Sequence, residues 1–338
     1  MAEEKLRLGI DLGTANMLVF QEKKGIIFNE PSVIAFDRES GKVVAAGADA
    51  HKMIGKTHDK IIVIRPLRSG VIGDMHAAKE LLKYVFSKVR MLTEKQMHTA
   101  SVVVCCPSEL TKIERDIISE LIRSLGVKDV FVEEEVKAGA LGANVNIFKA
   151  QGIMVVDIGG GTTDVGVLSF GDVVSSRTIR RAGDFIDVEI AKLIKKSYKV
   201  EIGEQTSELA KIMLADLRDN APVIANRYAG RDTVVGVPKY IDISSEDIRS
   251  IIIPVYEEIV KLVANVLKET SPELSADIFD NGILLTGGGA LIRGADEFIS
   301  NRIQIPVRVA ENCLTCVAEG AKFLLKNRGD YLVNPLQL

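Results

Sequence analysis

The chain contains no tryptophan and only 5% aromatic residues, so it has little with which to build stacking platforms for nucleic-acid bases. An excess of positive charge is missing too. The 43 Lys and Arg are outweighed by 46 Asp and Glu, for a formal charge of -3, and without a positive field no nucleic-acid partner is expected. Cysteine is scarce. Cys105, Cys106, Cys313 and Cys316 are too few for a disulfide framework in 338 residues, which points to a reducing cytoplasm. Cys313-Leu-Thr-Cys316 has the spacing of half a zinc or redox site, with Cys105-Cys106 as its conceivable other half. Adjacent strand residues face opposite ways, however, and this pair ends the apolar run from Ser101. All four are expected to be small core residues. Long hydrophobic runs are absent as well: the N-terminus has no apolar signal core, and no window reaches the ~18 apolar residues of a membrane span. A protein neither secreted nor integral to a membrane is expected, with peripheral contact through a short apolar loop still open.

What is present begins with length. At 338 residues the chain is about twice a typical domain, so two domains or one duplicated unit is expected. An internal echo favours duplication. Leu8-Gly-Ile-Asp11-Leu-Gly13-Thr14-Ala15-Asn16 returns as Met154-Val-Val-Asp157-Ile-Gly159-Gly160-Gly161-Thr162-Thr163. Each reads as strand, tight Gly/Thr turn, strand, with an Asp closing the first strand. A third glycine cluster, Gly287-Gly288-Gly289-Ala290, follows the apolar run Gly282–Thr286 and precedes a helical stretch. Helical spacing of apolar residues predicts helices over 76–91 (Leu81, Leu82, Val85, Phe86, Val89) and 108–125 (Leu110, Ile113, Ile117, Ile118, Leu121). Ser244-Ser-Glu-Asp247 reads as a capping box opening a helix to about Lys268, kinked at Pro254. Strand and helix signals alternate throughout, the pattern of mixed α/β layers.

Glycine in a tight turn lets backbone N–H groups face an anion with no side chain in the way. A carboxylate beside a phosphate is repelled unless a divalent cation lies between them, so Asp11 and Asp157 imply Mg²⁺, held through its waters. Any single such turn fits an ordinary hairpin. Two turns and a third Gly-rich strand-to-helix turn fit a phosphate cradle better. Rival nucleotide motifs fail: Ala50 occupies the first glycine position of the P-loop-like Ala50–Thr57, and Ile292 the last of a dinucleotide fingerprint at Gly287.

The order of these motifs resembles the actin, heat-shock chaperone and sugar-kinase superfamily, and within it the MreB family of bacterial actin homologues. The resemblance spans nearly the whole chain, through Gly9-Ile-Asp-Leu-Gly-Thr-Ala-Asn16, Gly25–Val33, Ile64–Ile72, Val156–Thr163 and Leu284–Leu291. It implies an α/β, actin-like ATPase fold, with two RNase H-like lobes around a nucleotide cleft and a smaller subdomain inserted in each. On that map lobe I is 1–145 (core 1–30 and 65–145, insertion 31–64). Lobe II is 146–314 (core 146–179 and 246–314, insertion 180–245), and 315–338 returns to lobe I. Function follows as ATP-dependent polymerisation into membrane-associated, antiparallel double filaments that control cell shape, with slow ATP hydrolysis. The alternative, a non-polymerising chaperone-like or kinase-like ATPase of the same superfamily, normally needs a longer chain.

Site roles implied by the resemblance are specific. Gly13, Thr14, Ala15, Asn16, Gly159, Gly160, Gly161 and Thr162 would hold the phosphates of ATP, and Asp11 and Asp157 the Mg²⁺. Glu208, Lys211, Gly287, Gly288, Gly289 and Ala290 would contact ribose and base; as bare sequence, Glu208 and Lys211 are an i,i+3 surface pair. Glu134 matches the carboxylate that positions the attacking water, with Thr162 assisting. The chain departs from the family pattern after Glu134, where Glu135 and Lys137 replace proline and small residues. Lys137 is expected to pair with Glu134, and three adjacent acids leave the register of the catalytic one open. Met91 and Leu92 stand where the family carries a hydrophobic membrane loop; the bland alternative is that they continue the stripe of Val85 and Val89 into the core. Implied partners are further copies of the chain, anionic membrane lipid and cell-shape or motility proteins, at the inner face of the cell membrane.

Overall fold

The computed structural model describes residues 6–89 and 94–327; Met91 and Leu92 lie outside the described residues. In chain order the first half comprises β1 (Arg7–Leu12), β2 (Asn16–Gln21), β3 (Gly25–Pro31), β4 (Ile34–Asp37), β5 (Val43–Ala46), α1 (Ala48–Met53), β6 (Ile61–Ile64), β7 (Leu67–Arg68), β8 (Val71–Ile72), α2 (Met75–Lys88), α3 (Glu94–Thr99), β9 (Ser101–Cys106), α4 (Lys112–Arg123), β10 (Asp129–Glu134) and α5 (Glu135–Gly142). The second continues with β11 (Ile153–Ile158), β12 (Thr163–Ser169), β13 (Asp172–Ile179), α6 (Gly183–Tyr198), β14 (Val200–Glu201), α7 (Glu204–Leu214), β15 (Ala225–Asp232), β16 (Pro238–Ser244), α8 (Ser245–Glu269), α9 (Pro272–Asn281), β17 (Ile283–Thr286), α10 (Ala295–Ile303), β18 (Val307–Val309) and α11 (Cys316–Asn327).

The internal echo is an echo of topology. Five-stranded sheets run in the orders β10-β9-β1-β2-β3 and β13-β12-β11-β17-β18. In each, an antiparallel meander of three strands is extended by two further strands parallel to its first. Small sheets β5-β4-β6 and β14-β15-β16 branch from the two halves. One hydrophobic core gathers Leu8, Ile10, Val102, Val104, the α2 residues Leu81, Leu82 and Val85, and Val89 just past the helix. A second gathers Val155, Val156, Leu285, Ile252 and Ile299. Cys105 packs into the second core and Cys106 into the first, as opposite-facing neighbours must, and Cys313 and Cys316 are buried in the second.

Helix boundaries follow their capping chemistry. Asp74 caps α2 by accepting from the Ala77 N–H, and reciprocal capping boxes, Thr111 with Glu114 and Ser244 with Asp247, open α4 and α8. Helix α8 runs unbroken through Pro254. The predicted α4 stripe needs correction at Ile113, which is 73% exposed. The helix starts only at Lys112, and Ile113 lies five residues, about 140° around the helix, from the buried Ile118. Helix α11 returns to the first sheet and packs on β1, β9 and α5. Gly9 is required by that return, since a Cβ there would lie 2.4 Å from the Ala321 Cβ.

Candidate functional site

The β1–β2 turn (Gly13, Thr14, Ala15) and the β11–β12 turn (Gly159–Thr162) meet across the space between the two sheets. A Cβ at Gly160 would stand 2.7 Å from the Ala15 Cβ, and one at Gly161 2.4 Å from Thr14 Oγ1, so only glycine permits this approach. Ser32 Oγ donates to the Gly13 carbonyl at 2.7 Å, and the Gly70 N–H donates to Thr14 Oγ1 at 3.0 Å, which fixes the first turn. The third cluster closes in behind. Gly287, at φ 80°, would clash with the Ile158 carbonyl if it carried a Cβ, and Tyr256 Oη donates to the Gly289 carbonyl at 2.6 Å.

These turns border a cavity of about 570 Å³. Of the residues expected at a site, Asp11, Gly13, Thr14, Ala15, Asn16, Asp157, Gly159 to Thr162, Glu208, Lys211 and Gly287 to Gly289 line it. Ala290 and Glu134 do not. Ala290 is buried in the second core, and Glu134 turns away to pair with Arg115 at 2.9 Å and Lys137 at 3.0 Å. Its neighbour Glu135 lines the cavity instead. The acidic run is thus brought to the cleft one residue later than expected, because Glu134 ends β10 and Glu135 begins α5.

Glu135, Asp157 and Asp164 are buried, and the half-buried Asp11 joins them in a group of four carboxylates. Burial and the charge of Asp157 push Asp11 up to about 7. Burial raises Asp157 as well, against the hydrogen bond donated to its Oδ1 by Thr286 Oγ1. Burial pushes Asp164 up to about 6, although Thr178 Oγ1 and the Ser108 N–H donate to its Oδ1 at 2.6 and 2.8 Å. Glu135 is raised by burial and then by the charges of Asp164, Asp11 and Asp157. Such a group repels itself unless protons or a cation compensate it. Lys211 contributes less free charge than its type suggests: its Nζ binds Asp187 at 2.7 Å and the Gly183 carbonyl at 3.1 Å.

Sequence reasoning left the choice among Glu133, Glu134 and Glu135 open and missed Asp164 and the ties at the cleft mouth. There Arg65 Nε donates to Glu204 Oε1 at 2.7 Å, and Gln205 Nε2 donates to the His51 carbonyl, joining the two small-sheet regions. Asp164 directly follows the echoed motif, but nothing in the sequence marks it as different from any strand Asp. Chemically, the arrangement offers two backbone cradles for anionic oxygens over a carboxylate floor.

Known proteins match the chain along nearly all its length. The MreB/Mbl protein family matches residues 5–332. The cell shape-determining protein Mbl of Bacillus cereus is 45% identical over 320 residues, 95% of this chain and 96% of the relative. The cell shape-determining protein MreB of Escherichia coli is 39% identical over 324 residues, covering 93% and 91%. Among solved structures, MreB 5 of Spiroplasma citri bound to AMPPNP superposes with a TM-score of 0.91 at 41% identity, covering 96% of this chain and 97% of that one. The MamK double helical filament subunit, at 19% identity and a TM-score of 0.80 over 96% and 99%, shares the fold. Duplicated sheets around one cleft and a match from end to end place this chain in the MreB/Mbl family of actin-like proteins.

Proposed function

We propose that the cleft binds ATP, that it hydrolyses ATP slowly, and that nucleotide-dependent polymerisation of the chain is its main output, as a cytoskeletal protein controlling cell shape. The observation that carries this reading is the meeting of the two Gly/Thr turns over buried carboxylates, in a chain whose similar structure, MreB 5, is bound to AMPPNP. The phosphates would lie against Gly13 to Asn16 and Gly159 to Thr162. Glu208, Lys211 and Gly287 to Gly289 would receive ribose and base, with Ala290 supporting the turn from the core.

The donor set fits Mg²⁺. Asp11 and Asp157 close the two equivalent strands, and burial raises both, the condition that a divalent cation relieves. Among the described residues no three His, Cys, Asp or Glu side chains form a direct metal cage, which suits a cation that keeps its waters. When bound, the ion supplies charge neutralisation between carboxylates and phosphate. The protein's own part is positioning. Glu135, in the cavity wall, is placed to orient a water and accept its proton, and Thr162 stands in the adjoining turn. Glu134, held by Arg115 and Lys137, is not.

Filaments follow from the family's character. A head-to-tail contact that does not close on itself generates an open polymer, and MamK, of the same fold, forms a double helical filament. Antiparallel pairing of strands and attachment to anionic lipid at the inner membrane face, through Met91 and Leu92, belong to this proposal. No helix of the described residues is long and apolar enough to cross a membrane, so attachment would rest on repeated weak anchors along a filament.

The decisive experiment pairs calorimetry with sedimentation. Mg-ATP should bind the wild type and bind Asp157→Ala at least about 10-fold more weakly with the fold retained. ATP should move the wild type into the pellet, while a chain that stays in the supernatant across salt and divalent cation would refute polymerisation. Met91→Ser with Leu92→Ser should abolish liposome co-sedimentation and leave polymerisation intact; retained liposome binding would refute the loop assignment.

A further inference from the structure

Lys137 is an unusual residue for its place. It lies in the first turn of α5, 9% exposed, where a lysine without partners would be costly to bury. Its Nζ is met by three acids: Glu133 Oε2 at 3.2 Å, Glu134 Oε2 at 3.0 Å and Asp172 Oδ1 at 2.7 Å. Glu133 and Glu134 are on β10 of the first half, and Asp172 opens β13 of the second. One ammonium therefore ties the two halves together. The chain of contacts continues on the other side. Glu134 Oε1 accepts from Arg115 at 2.9 Å, and Arg115 also donates to the Ser108 carbonyl at 3.1 Å. The backbone of Ser108 in turn donates across to Asp164 of the second half at 2.8 Å. A polar strut thus runs from Asp172 through Lys137, Glu134 and Arg115 to Ser108, crossing the β10–α5 junction from which Glu135 projects into the cavity.

We propose that Lys137 is a positioning residue for hydrolysis: by tying the β10–α5 junction to the β12–β13 turn of the other half, it holds Glu135 in its pose over the cleft. This rests on the reading of Glu135 as the water-orienting carboxylate. Geometry supplies the reason. The junction is a single peptide link between strand and helix, and Glu134 and Glu135 leave it in opposite directions, so a shift that releases Glu134 rotates Glu135. Displacement of a positioned group by about 1 Å is enough to cost up to about 100-fold in rate without removing any contact to the nucleotide. Because Asp172 belongs to the second half, the restraint on Glu135 draws on both halves.

The test measures Mg-ATP affinity by calorimetry and single-turnover phosphate release by the full-length chain. Lys137→Met should slow phosphate release about 10-fold or more with affinity within about 2-fold of wild type. Asp172→Asn, which removes only the exposed end of the strut, should slow it about 3-fold. Lys137→Arg, which can span the same acids, should restore most of the rate. Combining Lys137→Met with Glu135→Gln should cost no more than Glu135→Gln alone, since the lysine acts through that carboxylate; a merely structural lysine would add its own loss. Unchanged release in Lys137→Met, an equal loss of affinity, or additive losses would overturn the proposal. If Lys137→Met does not fold, Asp172→Asn decides, and an unchanged rate there refutes the link between halves. Failure of Glu135→Gln to slow release would refute the reading of Glu135 itself, whereas slow release in that variant with normal rates in the strut variants would refute only the strut.

Discussion

Glu135 lines the cavity whereas Glu134 is paired with Arg115 and Lys137, so substitution should separate their roles. Glu135→Gln should lower phosphate release by roughly 10²-fold with ATP still bound. Glu134→Gln should cost less and act by loosening Arg115 and Lys137; a larger loss in Glu134→Gln than in Glu135→Gln would return the catalytic role to Glu134. A pH prediction comes from Asp11, raised from 3.8 to about 7 by burial and by Asp157. An acid whose pKa is higher folded than unfolded contributes stability that is present below its unfolded pKa and lost as pH rises through its folded one. Asp11→Asn should therefore gain stability relative to the wild type between pH 4 and about 7, in unliganded protein followed by chemical denaturation. A constant difference across that window would contradict the burial of this charge. The glycines and acids of both turns were legible in sequence because a tight turn writes its conformational needs into its own residues. The pose of Glu135 was not, because three consecutive acids carry no mark of where β10 stops, and Arg115, which with Lys137 holds Glu134 aside, is distant in the chain.

Helices α5 and α11 join the two halves, and their crossing is a close backbone contact. A Cβ at Gly142 would lie 1.8 Å from the Cys316 carbonyl oxygen, and one at Gly320 1.8 Å from that of Ala138. Neither neighbour is a side chain that can swing aside, so the helices themselves must separate. Gly142→Ala and Gly320→Ala should each destabilise the protein by about 1 to 3 kcal/mol or more, against the gain that alanine normally brings to a helix. Denaturant midpoints at or above wild type would show that the crossing is looser than described. Capping boxes and apolar stripes made α2, α4 and α8 readable, since their signals lie within a few residues of each helix end. The crossing was hidden: Gly142 and Gly320 each answer to a segment at the other side of the chain, and a helical glycine by itself says only that helix propensity is poor. Ile113 shows the converse error, an apolar residue counted into a stripe although it lies about 140° around the helix from the buried Ile118.

At the scale of the molecule, the duplicated sheets border a cleft with two kinds of closure, the glycine turns inside it and the small-sheet regions at its mouth. The mouth is closed by Arg65 against Glu204 and by Gln205 against the His51 carbonyl. Arg65 lies just beyond β6 and Glu204 opens α7, so the pair spans the two halves without touching the glycine turns. An exposed ion pair by itself contributes little, about 0 to 1 kcal/mol. Its position matters more than its strength, because a contact made only in the closed form biases the equilibrium between open and closed by its full value. Glu204→Lys replaces attraction by repulsion and should weaken Mg-ATP binding about 5-fold or more. If closure is the form that assembles, the same variant should raise the protein concentration at which ATP induces light scattering. Arg65→Glu combined with Glu204→Lys restores the pair with its signs exchanged and should recover both affinity and assembly. Recovery of neither would make the loss a local effect of each side chain, whereas recovery of affinity alone would separate nucleotide-driven closure from polymerisation.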